Sequence, residues 1–161
     1  LLELNPYNNL PTLVDRDLVL YDTQVILEYL EERFPHPPLL PVYPVSRAKD
    51  RLMIRRIYND WYSLMDIIVA EGSEAKQARK DLLDTFLMLN PVFAEMSYFL
   101  NEDFTLVDCA IAPLLWRFPI LDIKLPARAK AIVAYCERVF QRESFQASLT
   151  EVERDMREIF V

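Results

Sequence analysis

The pattern of apolar and polar positions changes period along the chain. Leu10 to Val14 and Leu18 to Tyr21 are short β-type runs around the turn Asp15-Arg16-Asp17, and together they read as a hairpin. From Thr23 to Arg33 the apolar residues Val25, Ile26, Tyr29 and Leu30 fall at helical spacing. A stiff interval from Phe34 to Pro44 follows, holding Pro35, Pro37, Pro38, Pro41 and Pro44. Beyond it the period is helical almost throughout. Met53, Ile57, Trp61, Leu64 and Ile68 mark one face of a long helix from about Ser46 to Ala70. Further helices are expected over Ala75–Glu95, which Pro91 threatens to break, and over Leu106–Arg117, Ala127–Gln141 and Glu151–Phe160.

The pattern predicts an α+β chain that is mostly α. Residues 1–34 form a hairpin-and-helix remnant, residues 35–45 a proline-rich linker, and residues 46–161 an all-helical domain whose stripes pack as a bundle. A lone two-stranded hairpin is marginal in water and calls for further strands. Leu1-Leu2-Glu3-Leu4 ahead of Asn5-Pro6 reads as the end of a helix being stopped, since proline disfavours helical geometry in the residue before it. Both features lead us to expect sequence upstream of Leu1.

Composition narrows the function classes. Hydrophobic residues make up 52% of the chain and charged ones 27%, a globular balance. The net charge of −7 disfavours direct nucleic-acid binding, because a grip on phosphates normally needs a basic excess. Two cysteines, Cys109 and Cys136, do not make a disulfide framework and fit a reduced, cytoplasmic setting. With His36 as the sole histidine, no Cys/His metal cluster can be assembled. The single glycine, Gly72, leaves no phosphate-cradling loop, and no cofactor is expected. No apolar run reaches the length of about eighteen residues that a membrane-spanning helix requires.

Four local features could carry function. Pro11 leads a β-type run and reads as a strand-initiating proline; the alternative is a cis Leu10–Pro11 bond that turns backbone groups of Leu10 toward a ligand. Thr105 and Asp108 have capping-box spacing, with Phe104 and Cys109 at the staple positions, so Asp108 reads as a cap and not as a general base. In Phe34-Pro35-His36-Pro37-Pro38, each residue before a proline is pushed to extended geometry. A stiff segment of that kind loses little entropy when a partner binds it; the bland alternative is a spacer whose histidine points to water. Arg47, Lys49, Arg51, Arg55 and Arg56 crowd the start of the long helix beside Asp50. They read as a solvated face, with a docking patch for an acidic partner as the alternative.

Taken together, the proline-led hairpin, the pair Asp22-Thr23 opening a helix, the linker and the helical domain with Thr105-x-x-Asp108 resemble the glutathione-transferase superfamily. Within it, the stretches LNPYNNLPTLVDRDLVLYDT, EYLEERFPHPPLLPVYPVSRAKDRL, FTLVDCAIAPLLWR and RVFQRESFQASLTEVERDM resemble a bacterial branch of starvation- and stress-response transcription regulators. Pro35-His36-Pro37 followed by Pro41-Val42-Tyr43-Pro44 is the most specific mark.

The resemblance implies a thioredoxin-like N-terminal unit, of which residues 1–34 are the remainder, and a homodimer. It implies association with RNA polymerase holoenzyme at its primary sigma factor, through Pro35, His36 and Pro37, with Tyr43 as a further candidate. It also bears on catalysis. Transferases of the superfamily hold glutathione at the cis-proline and at a Glu/Gln-Ser pair, positions matched here by Leu10, Pro11, Asp22 and Thr23. Asp22 is one methylene shorter than Glu and Thr23 is bulkier than Ser. The first strand–helix turn, where such enzymes place their thiol-activating residue, has no counterpart in this chain, so no catalytic residue is named. The branch is regarded as lacking transferase activity. A glutathione-dependent transferase is the alternative reading, and a purely structural dimerisation module a third.

Overall fold

A computed structural model of the chain describes residues 1–158, so Ile159 and Phe160, the end of the expected terminal helix, lie outside the described residues. The chain divides into two compact units, Leu1–Asp50 and the part from Arg51 onward.

In the first unit β1 (Leu13–Asp15) and β2 (Leu18–Leu20) pair antiparallel, with Leu13 opposite Leu20 and Asp15 opposite Leu18. Arg16, in the two-residue turn, takes φ 57°, the left-handed geometry such tight turns demand. The strands are shorter than the β-type runs, because the first begins only beyond Pro11, which has no N–H for a ladder. The Leu10–Pro11 bond is cis, so the expectation of a plain strand-initiating proline is corrected. Asn5, fully buried, organises the preceding loop: its Nδ2 donates to the Asn9 carbonyl and Oδ1, both at 2.8 Å, and to Thr12 Oγ1 at 3.0 Å.

α1 (Thr23–Arg33) matches its expected bounds. Asp22 caps it, its Oδ1 accepting the Gln24 and Val25 N–H groups at 3.0 Å each. Tyr29 of α1 donates its hydroxyl to Asp15, and the Arg33 guanidinium lies 3.9 Å from the same carboxylate. The helix is thereby tied to the hairpin turn.

The expected helix from Ser46 to Ala70 is three segments: α2 (Pro44–Arg56), a π-helical stretch Ile57–Tyr62, and α3 (Ser63–Val69). Pro44 starts α2 because a proline in the first turn forfeits no intrahelical bond. Within the π stretch Ile57 and Trp61 are buried, and Tyr62 donates its hydroxyl to the Ala110 carbonyl at 3.0 Å. α4 (Ala75–Phe93) runs through Pro91 without the expected break; the proline sits in the last turn. α5 (Leu106–Trp116), α6 (Lys130–Phe140), α7 (Glu143–Ser148) and α8 (Glu151–Glu158) complete the bundle. The short α7 was not expected.

Aromatic rings hold this unit together. Trp61 packs on Phe86 at 4.8 Å, Phe86 on Phe118 at 5.0 Å, and Phe93 on both Phe99 at 4.7 Å and Tyr135 at 4.8 Å, between ring centres. Such tilted and edge-on pairs add about 0.5–1.5 kcal/mol each beyond their burial. α5 is buried on nearly every side, as expected for a helix that is apolar around its circumference.

The capping box at the start of α5 reaches into this core. Thr105 Oγ1 accepts the Val107 N–H at 3.2 Å, and Asp108 Oδ2 accepts the Thr105 N–H at 2.9 Å. Oδ1 of the fully buried Asp108 accepts the Phe99 N–H at 3.0 Å and the Tyr135 hydroxyl at 2.7 Å. Burial pushes the carboxyl pKa up, against these hydrogen bonds, which pull it down. A second box starts α8: Thr150 N–H donates to Glu153 Oε2 at 3.1 Å, and Glu153 N–H to Thr150 Oγ1 at 3.2 Å. Thr150-x-x-Glu153 is a sequence-level signature that the pattern reading passed over.

Candidate protein-docking site

The candidate segment begins where α1 ends. Phe34 closes the helix, its N–H donating to the Leu30 carbonyl at 2.9 Å in a non-helical conformation, as a residue before proline should. The chain then bends through Pro35, His36, Pro37 and Pro38, all exposed, with a cis His36–Pro37 bond. It returns to the unit at Leu40, which is buried.

A side chain that the sequence reading did not single out fastens this bend. Glu31 is buried in α1, and its carboxylate accepts the Leu39 N–H at 2.9 and 3.1 Å and the Leu40 N–H at 3.0 Å. Three prolines fix part of the intervening backbone, while Glu31 and the buried Leu40 fix its far end. Ordering one free residue costs about 1–2 kcal/mol, so a partner that grips this bend meets a backbone already largely set. Only a long-range bond from a helix to a loop nine positions on reveals Glu31; in sequence it is one acid among Glu28, Glu31 and Glu32.

The flanks of the bend are apolar and uncovered within their unit. Phe34 is 63% exposed, Val42 81% and Tyr43 79%. Arg33 lies over the Phe34 ring at 5.2 Å. Exposed aromatic and aliphatic residues beside a rigid polar tip are the composition of a protein contact surface. The basic residues of α2 all keep at least partial exposure, with Lys49, Arg55 and Arg56 the most open. The Arg56–Asp60 pair, 3.8 Å apart and open to water, adds little to stability.

The positions matched to a glutathione site are also placed. Leu10 is 80% exposed beside its cis bond to Pro11. Asp22 Oδ1 is committed to the two N–H groups of the α1 cap, and Thr23 is the first residue of that helix. Among the described residues no group of three His, Cys, Asp or Glu side chains could hold a metal ion, and no helix is long and apolar enough to cross a membrane.

Comparison with known proteins agrees with this architecture. Residues 1–38 match the glutathione S-transferase N-terminal domain and residues 52–143 the glutathione S-transferase C-terminal domain. The omega 3C glutathione transferase of Trametes versicolor superposes with a TM-score of 0.80 at 26% identity, over 93% of this chain and 71% of that one. The chain belongs to the glutathione S-transferase superfamily.

Nearer relatives refine this. A stringent starvation protein A homologue of Coxiella burnetii is 56% identical over 99% of this chain and 77% of the relative. One of Haemophilus ducreyi is 58% identical over 92% and 71%. Within the superfamily, the chain is a member of the stringent starvation protein A family.

Proposed function

We propose that this protein is a non-enzymatic regulator of transcription that acts in the cytoplasm under starvation and stress, by contact with RNA polymerase holoenzyme. Pro35, His36 and Pro37 form the tip that meets the primary sigma factor, and Tyr43 adds an aromatic contact. The protein acts as a homodimer, without a cofactor. The carrying observation is the exposed, proline-stiffened bend whose far end Glu31 fastens. Membership of the stringent starvation protein A family supports the regulatory reading. Replacing Pro35, His36 and Pro37 by alanine tests it: polymerase should no longer co-purify while the helical content stays unchanged. Undiminished co-purification would count against the proposal.

A glutathione-dependent transferase is the second reading, favoured by the fold and by the exposed Leu10 at its bend. The commitment of Asp22 Oδ1 to capping α1 weighs against it. Retention on immobilised glutathione, with turnover of a model electrophile, would support it.

A further inference from the structure

Arg157, in α8, is held in a setting that the docking site does not use. Its guanidinium carbon lies 4.4 Å from the centre of the Trp116 ring and 4.6 Å from that of Phe140. One N–H reaches the Trp116 carbonyl at 3.4 Å. Among the described residues no carboxylate pairs with it, in contrast to Arg117, which meets Glu153 at 2.8 Å. The side chain is half-buried, and this desolvation lowers its pKa.

Arg157 also borders a cavity of about 520 Å³ with an apolar wall that includes Phe118, Ile123, Val133 and Phe140. That volume lies within the range of about 300–1,000 Å³ common for small-molecule sites. Asp122, Glu137 and Lys124 line it as well, so its formal charges balance and the local setting decides which ligand fits. Among the described residues neither acid pairs with Arg157, whose guanidinium commits one N–H to the Trp116 carbonyl out of its five donors. A partly dehydrated cation gains most from an anion that takes it in a fork of hydrogen bonds, because the pair is stronger out of bulk water. The rings and aliphatic side chains of the wall suit an apolar body attached to that anion.

We propose that this cavity is a binding site for a small amphipathic carboxylic acid, its carboxylate on Arg157 and its aryl or alkyl body against Phe118, Ile123, Val133 and Phe140. The site is independent of the polymerase-docking reading.

The test uses three matched probes, 4-phenylbutyrate, 4-phenylbutanamide and 4-phenylbutylamine, titrated into the full chain by calorimetry and tryptophan fluorescence. The carboxylate should saturate one site, with the amide and the amine at least tenfold weaker. Arg157→Gln should weaken the carboxylate at least tenfold and leave the amide unchanged. Val133→Trp, which fills the cavity from its rim, should abolish binding in a chain whose melting transition is intact. Equal affinity for all three probes, an unaltered Arg157→Gln variant, or no binding by any probe would overturn the proposal. Binding that appears only in a chain shortened to end at Glu158 would give the cavity to the chain's own last residues, and would overturn it too.

Discussion

The carboxylate of Glu31 accepts the backbone N–H of Leu40 at 3.0 Å, and this bond closes the bend that carries Pro35, His36 and Pro37. A buried acid facing two N–H groups has to stay an acceptor. Glu31→Gln keeps the size but can turn an amide donor toward those donors. The variant should lose about 1–3 kcal/mol in chemical denaturation, the cost of leaving buried groups unmatched. Hydrogen exchange at the Leu39 and Leu40 amides should accelerate relative to the amides of α1. Unchanged exchange at both amides would show that the prolines hold the bend without help.

A comparable dependence is expected at Asp108, where Phe99, Thr105 and Tyr135 converge on one buried carboxylate. Tyr135→Phe removes a single donor and should cost about 1.5–3 kcal/mol, as for a hydrogen bond to a charged group. Asp108→Ala strands all three donors and should cost more than Tyr135→Phe in the same urea titration.

The two capping acids give opposite pH signatures. Burial raises the folded pKa of Asp108 above its unfolded value, so its contribution is fully present below the ordinary carboxylate range and fades as pH rises through the folded value. The stability gap between wild type and Asp108→Asn should therefore narrow from acid toward neutral pH. Glu153 behaves the other way. The Thr150 N–H, followed by the Thr150 hydroxyl and Arg117, lowers its folded pKa against a desolvation that opposes them. Its contribution is present above the ordinary glutamate range and is lost as pH falls through the folded value, so the gap to Glu153→Gln should narrow in acid. Thermal melts across that range check both.

Burial pushes the Cys136 thiol up to about 12, which leaves almost no thiolate at neutral pH. Alkylation of the folded protein at neutral pH should therefore spare Cys136, and Cys136→Ser should leave the rate of thiol modification unchanged. Labelling of Cys136 should appear only with denaturant. Mass spectrometry of the labelled peptides distinguishes the two cases.

Local chemistry was legible in the sequence where it acts over a few residues. Asp22 before Thr23 fixed the start of α1, and the proline after Phe34 fixed its end. Thr105-x-x-Asp108 announced α5 in the same way. What depends on distant partners was not legible. The π stretch at Ile57–Tyr62, where Tyr62 reaches Ala110, has no local signature. Pro91 looked like a helix breaker, yet it falls in the final turn of α4. The short α7 lacks a capping side chain to mark it. In the candidate site, the proline run was visible at once, whereas Glu31 and Asn5 are recognisable only from the groups they meet across the fold.

The most direct measurement places a photo-activated benzoylphenylalanine at His36 in living bacteria and identifies what it captures. A cross-link from position 36 to the primary sigma factor within RNA polymerase holoenzyme is expected, with none from the same probe at Asp84, an exposed position on the outer face of α4. A polymerase cross-link from Asp84 with no adduct at position 36 would contradict it.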